Sequence, residues 1–349
     1  MKRLTSFLFL LLCVSALTKA QTPVEGLNYY LPKTSLEFTL EIEETKFIPG
    51  ELAIYSDRYL RKPVRSQAEK TYRIVETHMD VIGEADTTKQ YTVFVDKKHT
   101  IISLQRDNNG MLTHINHEIP PRLKELKPQR LLAKTIKLNP RDYFTEEMLA
   151  AGSHAKLAEL VAKEIYNIRE SRNQLERGEA EFMPKDGEQL KIMLNRLDTQ
   201  EKALRQLFDG EEISNTFEVK VKYTPQPEKA EDIVFRFSSR LGLTDADDLA
   251  GEPYYINIED LKQVKPLPEN MPADKKAKDD IGLIVQLPGK IKVTLGNAKE
   301  KLMEQELYAA QYGRLENLSA NLFTKKMLTR VRLSPVTGCV EALDIQPIE

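Results

Sequence analysis

Five histidines, two cysteines and 53 acidic side chains are the groups here that could carry chemistry. His114 and His117 have the His-x-x-His step of many metal sites. They fall in a segment that reads as a strand, where residues three apart point to opposite faces. A tetrahedral site needs converging ligands, and neither a cysteine cluster nor a His-Glu-x-x-His helix supplies them. His78, His99 and His154 stand apart, so no metal or other cofactor is expected.

Asp245, Asp247 and Asp248 in LTDADDLAGEPYY resemble the start of a calcium loop. That loop wants a ligand where Leu249 sits, glycine where Ala250 sits and glutamate where Ile256 sits. Three failures leave a turn. Gly-x-Ser-x-Gly, the P-loop and Gly-x-Gly-x-x-Gly are all absent, which removes the commonest serine-hydrolase and nucleotide signatures. A pair of carboxylates for glycoside hydrolysis is set by the fold rather than by spacing, so it stays open. The chain has no tryptophan, the flattest platform for a sugar ring. The dense aromatic spots are Tyr29-Tyr30 and Tyr254-Tyr255, and these four are the candidate contact residues. Neighbours in a strand face opposite sides, so one of each pair is expected in the core. The expectation is therefore a protein without catalysis that binds a protein partner. The alternatives are a glycan or small-ligand binder and a carboxylate-dependent hydrolase.

The elements that would position these residues begin after MKRLTSFLFLLLCVSALTKA. Lys2 and Arg3 precede an apolar run from Leu4 to Leu17, too short for the ~20 residues that span a bilayer. Thr18 and Ala20 suit a signal peptidase, so the expected cut follows Ala20. Leu10, Leu11 and Leu12 make a poor lipobox before Cys13, which favours a soluble product over a lipid-anchored one. Removing Lys2, Arg3 and Lys19 takes Lys+Arg from 51 to 48 against 53 acids, a balance near −5. That charge argues against nucleic acid, and no second stretch is long and apolar enough to cross a membrane. Cys339 remains alone without a disulfide partner. VTGCVEAL around it reads as a strand after a turn, so the thiol is expected to be buried.

Period-two alternation runs through Leu36, Phe38, Leu40 and Ile42, and again through Tyr91, Val93 and Val95. Ile101–Gln105 and Met111–Ile115 flank Asp107-Asn108-Asn109-Gly110, a hairpin signal. Pro120, Pro121 and Pro128 mark an irregular passage. From Thr145 the period becomes helical. Leu157, Leu160, Val161, Ile165, Ile168 and Leu175 form one stripe, and Leu190, Met193, Leu194, Leu197, Leu204 and Phe208 form a second. Asp186 with Gln189 resembles a helix start, and Gly210 a stop. Two stripes joined by a short connector predict an antiparallel helical hairpin, packed against the β body rather than free in solvent. β character returns at Phe217–Tyr223, Ile233–Phe237 and Tyr254–Ile258. KPLPENMPADKKAKDD then reads as an exposed linker or long loop, and IKVTL and TRVRL as final strands.

The fold class is therefore α+β, mostly antiparallel β. The divisions are 1–20 signal peptide, 21–142 N-terminal β domain, 143–210 helical hairpin insertion, 211–264 further β segment, 265–280 linker and 281–349 C-terminal β domain. YYLPKTSLEFTL from Tyr29 is echoed by VQLPGKIKVTL from Val285, and ELAIYSDRYL from Glu51 by ELYAAQYGRL from Glu306. The order suggests two related β modules; chance likeness between alternating strands is the competing reading.

YYLPKTSLEFTLEIEETKFIPGELAIYSDRYL, FRFSSRLGLTDADDLAGEPYYI and LIVQLPGKIKVTL with QYGRLENLSANLF and VRLSPVTG resemble an uncharacterised Bacteroides family of exported proteins, domain of unknown function 4831. The resemblance covers nearly the whole mature chain. It implies a Gram-negative periplasmic or outer-surface setting and offers no functional residue that can be carried over; the partner expected from the functional reading above is an envelope protein or a glycan.

Overall fold

The computed structural model describes residues 26–95, 99–117, 138–265 and 281–348 of the chain. Residues 1–25 with Cys13, the prolines at 120, 121 and 128, and residues 266–280 lie outside them. The strands are β1 (Gly26–Ile48), β2 (Glu69–Phe94), β3 (Leu104–Arg106), β4 (Leu112–Ile115), β5 (Glu211–Tyr223) and β6 (Glu231–Ser238). They continue with β7 (Gly242–Thr244), β8 (Glu252–Asp260), β9 (Ile284–Gly296), β10 (Lys301–Asn317), β11 (Met327–Leu333) and β12 (Val340–Pro347). Three antiparallel sheets result, ordered β2-β1-β5, β10-β9-β8-β6-β7 and β12-β11-β4-β3. The mostly antiparallel α+β class follows from the sequence as expected.

The first two sheets face each other. Leu36, Phe38, Leu40 and Ile42, the alternating apolar set of β1, pack with Phe235, Ile256, Ile291 and Val293. A second core uses the opposite ends of the same long strands. Tyr29, Leu31 and Val93 meet Val285 there, and Ile115, Val331 and Leu333 of the third sheet close it. Each long hairpin, β1–β2 and β9–β10, therefore serves both cores.

A shared irregularity lets the hairpins do so. In β1, Tyr30 pairs with Gln90 and Pro32 with Ala85, so Leu31 faces a four-residue excursion, Asp86 to Lys89. In β9, Leu287 pairs with Arg314 and Gly289 with Ala309, so Pro288 faces Ala310 to Gly313, again four residues. The Leu-Pro dipeptides thus sit at equivalent bends, offset by one residue. Proline has no N–H for the ladder and is tolerated where the pairing breaks. The second half of the echo has no such counterpart. Glu51–Leu60 forms a 3-10 turn and a short helix, whereas Glu306–Leu315 is strand. Its likeness is one of letters, because the partner strand decides the conformation of a mixed polar–apolar run.

The turn Asp107–Gly110 is as read: the Asp107 carboxylate accepts from the main chain of Asn109 and Met111, and Gly110 takes φ 81°. The helices are α1 (Ser56–Leu60), α2 (Glu146–Leu149), α3 (His154–Arg177) and α4 (Gly187–Asp209). α3 and α4 form the antiparallel hairpin, but it does not pack on a sheet face. Its core consists of Leu52, Met148, Ala158, Val161, Ile165, Leu204 and Phe208, with no strand residue among its buried members. Leu52 from the turn after β1 and Met148 of α2 pack against the apolar faces of the hairpin instead.

Candidate functional site

Local signals fix both ends of the two long helices. Ser153 caps α3 by accepting from Lys156 N at 3.2 Å, and Asp186 caps α4 by accepting from Gln189 N at 2.8 Å. Gly178 and Gly210 end the helices with φ of 75° and 80°, a region costly for other residues.

Along α4, Leu190, Leu194, Leu197, Glu201, Leu204 and Phe208 repeat in alternating steps of four and three, the seam of a coiled coil. Glu201 is the polar member of that seam and is only 7% exposed. Two arginines of α3 hold it: Arg169 Nε donates at 2.7 Å to one oxygen and Arg172 Nη1 at 3.1 Å to the other. The same Arg172 nitrogen donates at 2.8 Å to Asp198, a hydrogen bond that pushes the guanidinium further above its ordinary range. This layer fixes the register of the hairpin, because sliding either helix would strand a buried carboxylate.

The layer also borders a cleft of about 940 Å³ between α4 and the start of β5, lined by Arg172, Asp198, Glu201, Lys202, Arg205 and Asp209 among others. Asp198 and Glu201 lie 2.8 and 3.1 Å from one Arg172 nitrogen, so these oxygens are at most the sum of the two, about 5.9 Å, apart. A bound of that size admits the separation of a carboxylate pair, about 5–5.5 Å in retaining enzymes. Both acids are nevertheless engaged by guanidinium, whereas a proton-donating acid sits in apolar surroundings. The arrangement is that of a structural ion network.

Beyond the layer, no residue between Leu175 and Glu201 is buried. That stretch carries Phe182 at 80% exposure and Met183, Ile192 and Met193 at 40% or more. The apolar stripe of α4 was legible in the sequence, but in its outer half Leu190, Leu194 and Leu197 are half-buried and Met193 is exposed. The exposure of Phe182 and Met183 had no sequence signal beyond their place in a Pro/Gly-containing connector.

The structure does not gather the candidate tyrosines. Tyr29 is buried in the second core, where its hydroxyl donates to Ile284 O at 2.8 Å and accepts from Ile284 N at 2.7 Å. Tyr254 is buried in the first core and stacks on Phe235 at 4.8 Å. Tyr30 and Tyr255 are half-buried, and Tyr30 lies over the turn at Gly110.

The histidine pair differs from its reading. The rings of His114 and His117 lie 5.4 Å apart rather than on opposite faces. β4 ends at Ile115, and Asn116 adopts φ 53°, which turns the chain and brings His117 back over His114. The Asn116 side chain holds that turn through Ile102, Ser103, Thr100 and Thr329 of the main chain. Burial and the neighbouring His117 lower the pKa of His114. Among the described residues no three metal-ligating side chains come together. Asp245 to Asp248 form an exposed turn. Cys339 is half-buried rather than enclosed, because it sits in the turn before β12, with the Thr337 hydroxyl 3.1 Å from its sulfur.

Among the described residues no helix is long and apolar enough to cross a membrane. The sequence model of a family described as domain of unknown function (DUF4831) matches residues 25–341. No curated protein and no solved structure matches the chain.

Proposed function

Because the chain belongs to the DUF4831 family, a domain of unknown function, we propose its role from its own surfaces: a non-enzymatic, exported envelope protein that grips a protein partner with the outer half of its helical hairpin. Export rests on the basic, apolar and small-residue order of residues 1–20. Binding rests on one observation, the segment between Leu175 and Glu201, which has no buried residue and exposes Phe182, Met183, Ile192 and Met193. Apolar side chains on such a segment are the material of an interface core, and helical anchors laid in a groove are a recurring mode of recognition.

Serine at these four positions tests the reading. The variant should keep the thermal transition of the β cores while losing co-isolation of the envelope partner that the wild-type protein retains. A variant that co-isolates the same partner at the same yield contradicts it. Mass spectrometry of the exported protein should give Gln21 as the first residue; a retained Met1 contradicts export by cleavage.

A further inference from the structure

β12 is an ordered strand that meets the second core only at its first residue, Val340. It ends the sheet β12-β11-β4-β3, and every residue from Glu341 to Pro347 is exposed. Fixing a strand costs conformational entropy that burial ordinarily offsets, yet past Val340 the ladder to β11, two surface ion pairs and the Ile348 N to Lys326 O bond hold it, with no buried side chain. Residues directly opposite across a ladder share a face. Leu343 lies opposite Val331 and Ile345 opposite Thr329, both fully buried. The apolar face of the sheet therefore runs on past Val331 and stays open at Leu343 and Ile345, which are 46% and 44% exposed.

Its two acids and the bulge at Glu341 are defences that the edge keeps, but it is long and has no lysine and no internal proline, the other barriers to strand addition. The other long edge strands have them: β2 carries Lys70, Arg73 and Lys89, β5 carries Lys220 and Lys222, and β10 carries Lys301 and Arg314. β3 and β7 are three residues each. β12 has no Lys or Arg, and its proline comes last. Its charges are Glu341 and Asp344, 3.2 Å from Arg332 and Arg330 respectively.

We propose that β12 is a docking edge for an extended segment of a partner protein, which adds as a further strand. Apolar residues at alternate positions of that segment cover Leu343 and Ile345, and Lys or Arg between them face the Glu341–Asp344 edge. The main chain supplies the affinity and the alternating side chains the selectivity. A second copy of this chain fits less well, because it would bring two more carboxylates and no base to the same edge.

The probe is a short, capped, fluorescent peptide of alternating valine and lysine, titrated against the full mature chain by anisotropy. Three comparisons accompany it: glutamate in place of lysine, the lysine peptide with alternate amides N-methylated, and the protein with Leu343→Ser and Ile345→Ser. Both serines replace exposed side chains, so the fold is kept. Each change should weaken binding by about tenfold or more. Equal binding of the N-methylated peptide, or of the serine variant, would overturn the proposal, since charge alone would then account for attachment. So would the absence of saturable binding up to about 1 mM. A wild-type dimer that the two serines dissolve in sedimentation would assign the edge to a second copy instead.

Discussion

The side-chain amide of Gln311 clasps the main chain of Thr34 from both sides. Thr34 N donates to Gln311 Oε1 at 3.0 Å, and Gln311 Nε2 donates back to Thr34 O at 2.7 Å. The Thr34 hydroxyl accepts from Ala310 N at 2.9 Å and donates to Val336 O at 3.1 Å. Thr34 is fully buried, so these bonds replace water in joining the bend of the first long hairpin to the excursion of the second.

Replacing Gln311 by leucine leaves a buried N–H and C=O of Thr34 without these partners, at about 1–3 kcal/mol each. Thr34→Val should cost a similar amount through Ala310 and Val336. The double variant should lose less than the two single losses added, because both act on one network. Urea denaturation of the four proteins measures this; strict additivity would show that the two residues do not cooperate.

Close crossing at the bends predicts a sharp contrast between glycines. A Cβ at Gly313 would overlap the carbonyl of Leu287, and one at Gly289 the carbonyl of Tyr312. A Cβ at Gly187 meets nothing within 4 Å. Gly313→Ala should therefore lower the denaturation midpoint markedly, whereas Gly187→Ala in the first turn of α4 should be neutral or raise stability by roughly 0.5–1 kcal/mol. Equal midpoints would contradict the crossing.

How much of this was legible beforehand depends on what each signal measures. Leu36, Phe38, Leu40 and Ile42 alternate because one face of β1 is buried, so the strand could be read directly. Most of β2 is partly exposed on both faces, which erases the alternation, and neither its length nor the excursion opposite Leu31 could be foreseen. The caps at Asp186 and Gly210 are local and were read. The Thr34–Gln311 clasp joins residues 277 apart in sequence, and the His114–His117 contact needs the positive φ of Asn116; neither leaves a mark in periodicity. The outer hairpin reads like its inner half, since a stripe records where apolar residues lie and not whether anything covers them.

Burial pushes the hydroxyls of Tyr29, Tyr223 and Tyr312 up, the last two to about 12. A tyrosine raised in the folded state keeps its proton there longer than in the unfolded chain. Its contribution is thus fully present below the unfolded value of 10.0 and is lost as pH rises from there through about 12. The denaturation midpoint should fall between pH 10 and 12, and Tyr312→Phe should flatten part of that slope. A flat midpoint across this window would contradict the burial of these rings.

Glu201→Ala should loosen the hairpin and leave the sheets intact. Removing one partner of an enclosed ion pair costs about 3–5 kcal/mol. Arg169 and Arg172 keep about a third of their side-chain surface in water, so about 1–2 kcal/mol is expected after screening. Hydrogen exchange should quicken across α3 and α4 while β1 and β9 stay protected; uniform acceleration would show that the layer supports the whole fold.

The proposed grip by the outer hairpin is tested most directly by a photo-reactive residue placed at Phe182 in cells that produce the full chain. Position 75 on the outer face of β2, where Val75 is 51% exposed, is the control. A discrete cross-linked product should form from position 182, vanish when Met183, Ile192 and Met193 become serine, and be missing from position 75. The same products from both positions, or none from 182, would contradict it.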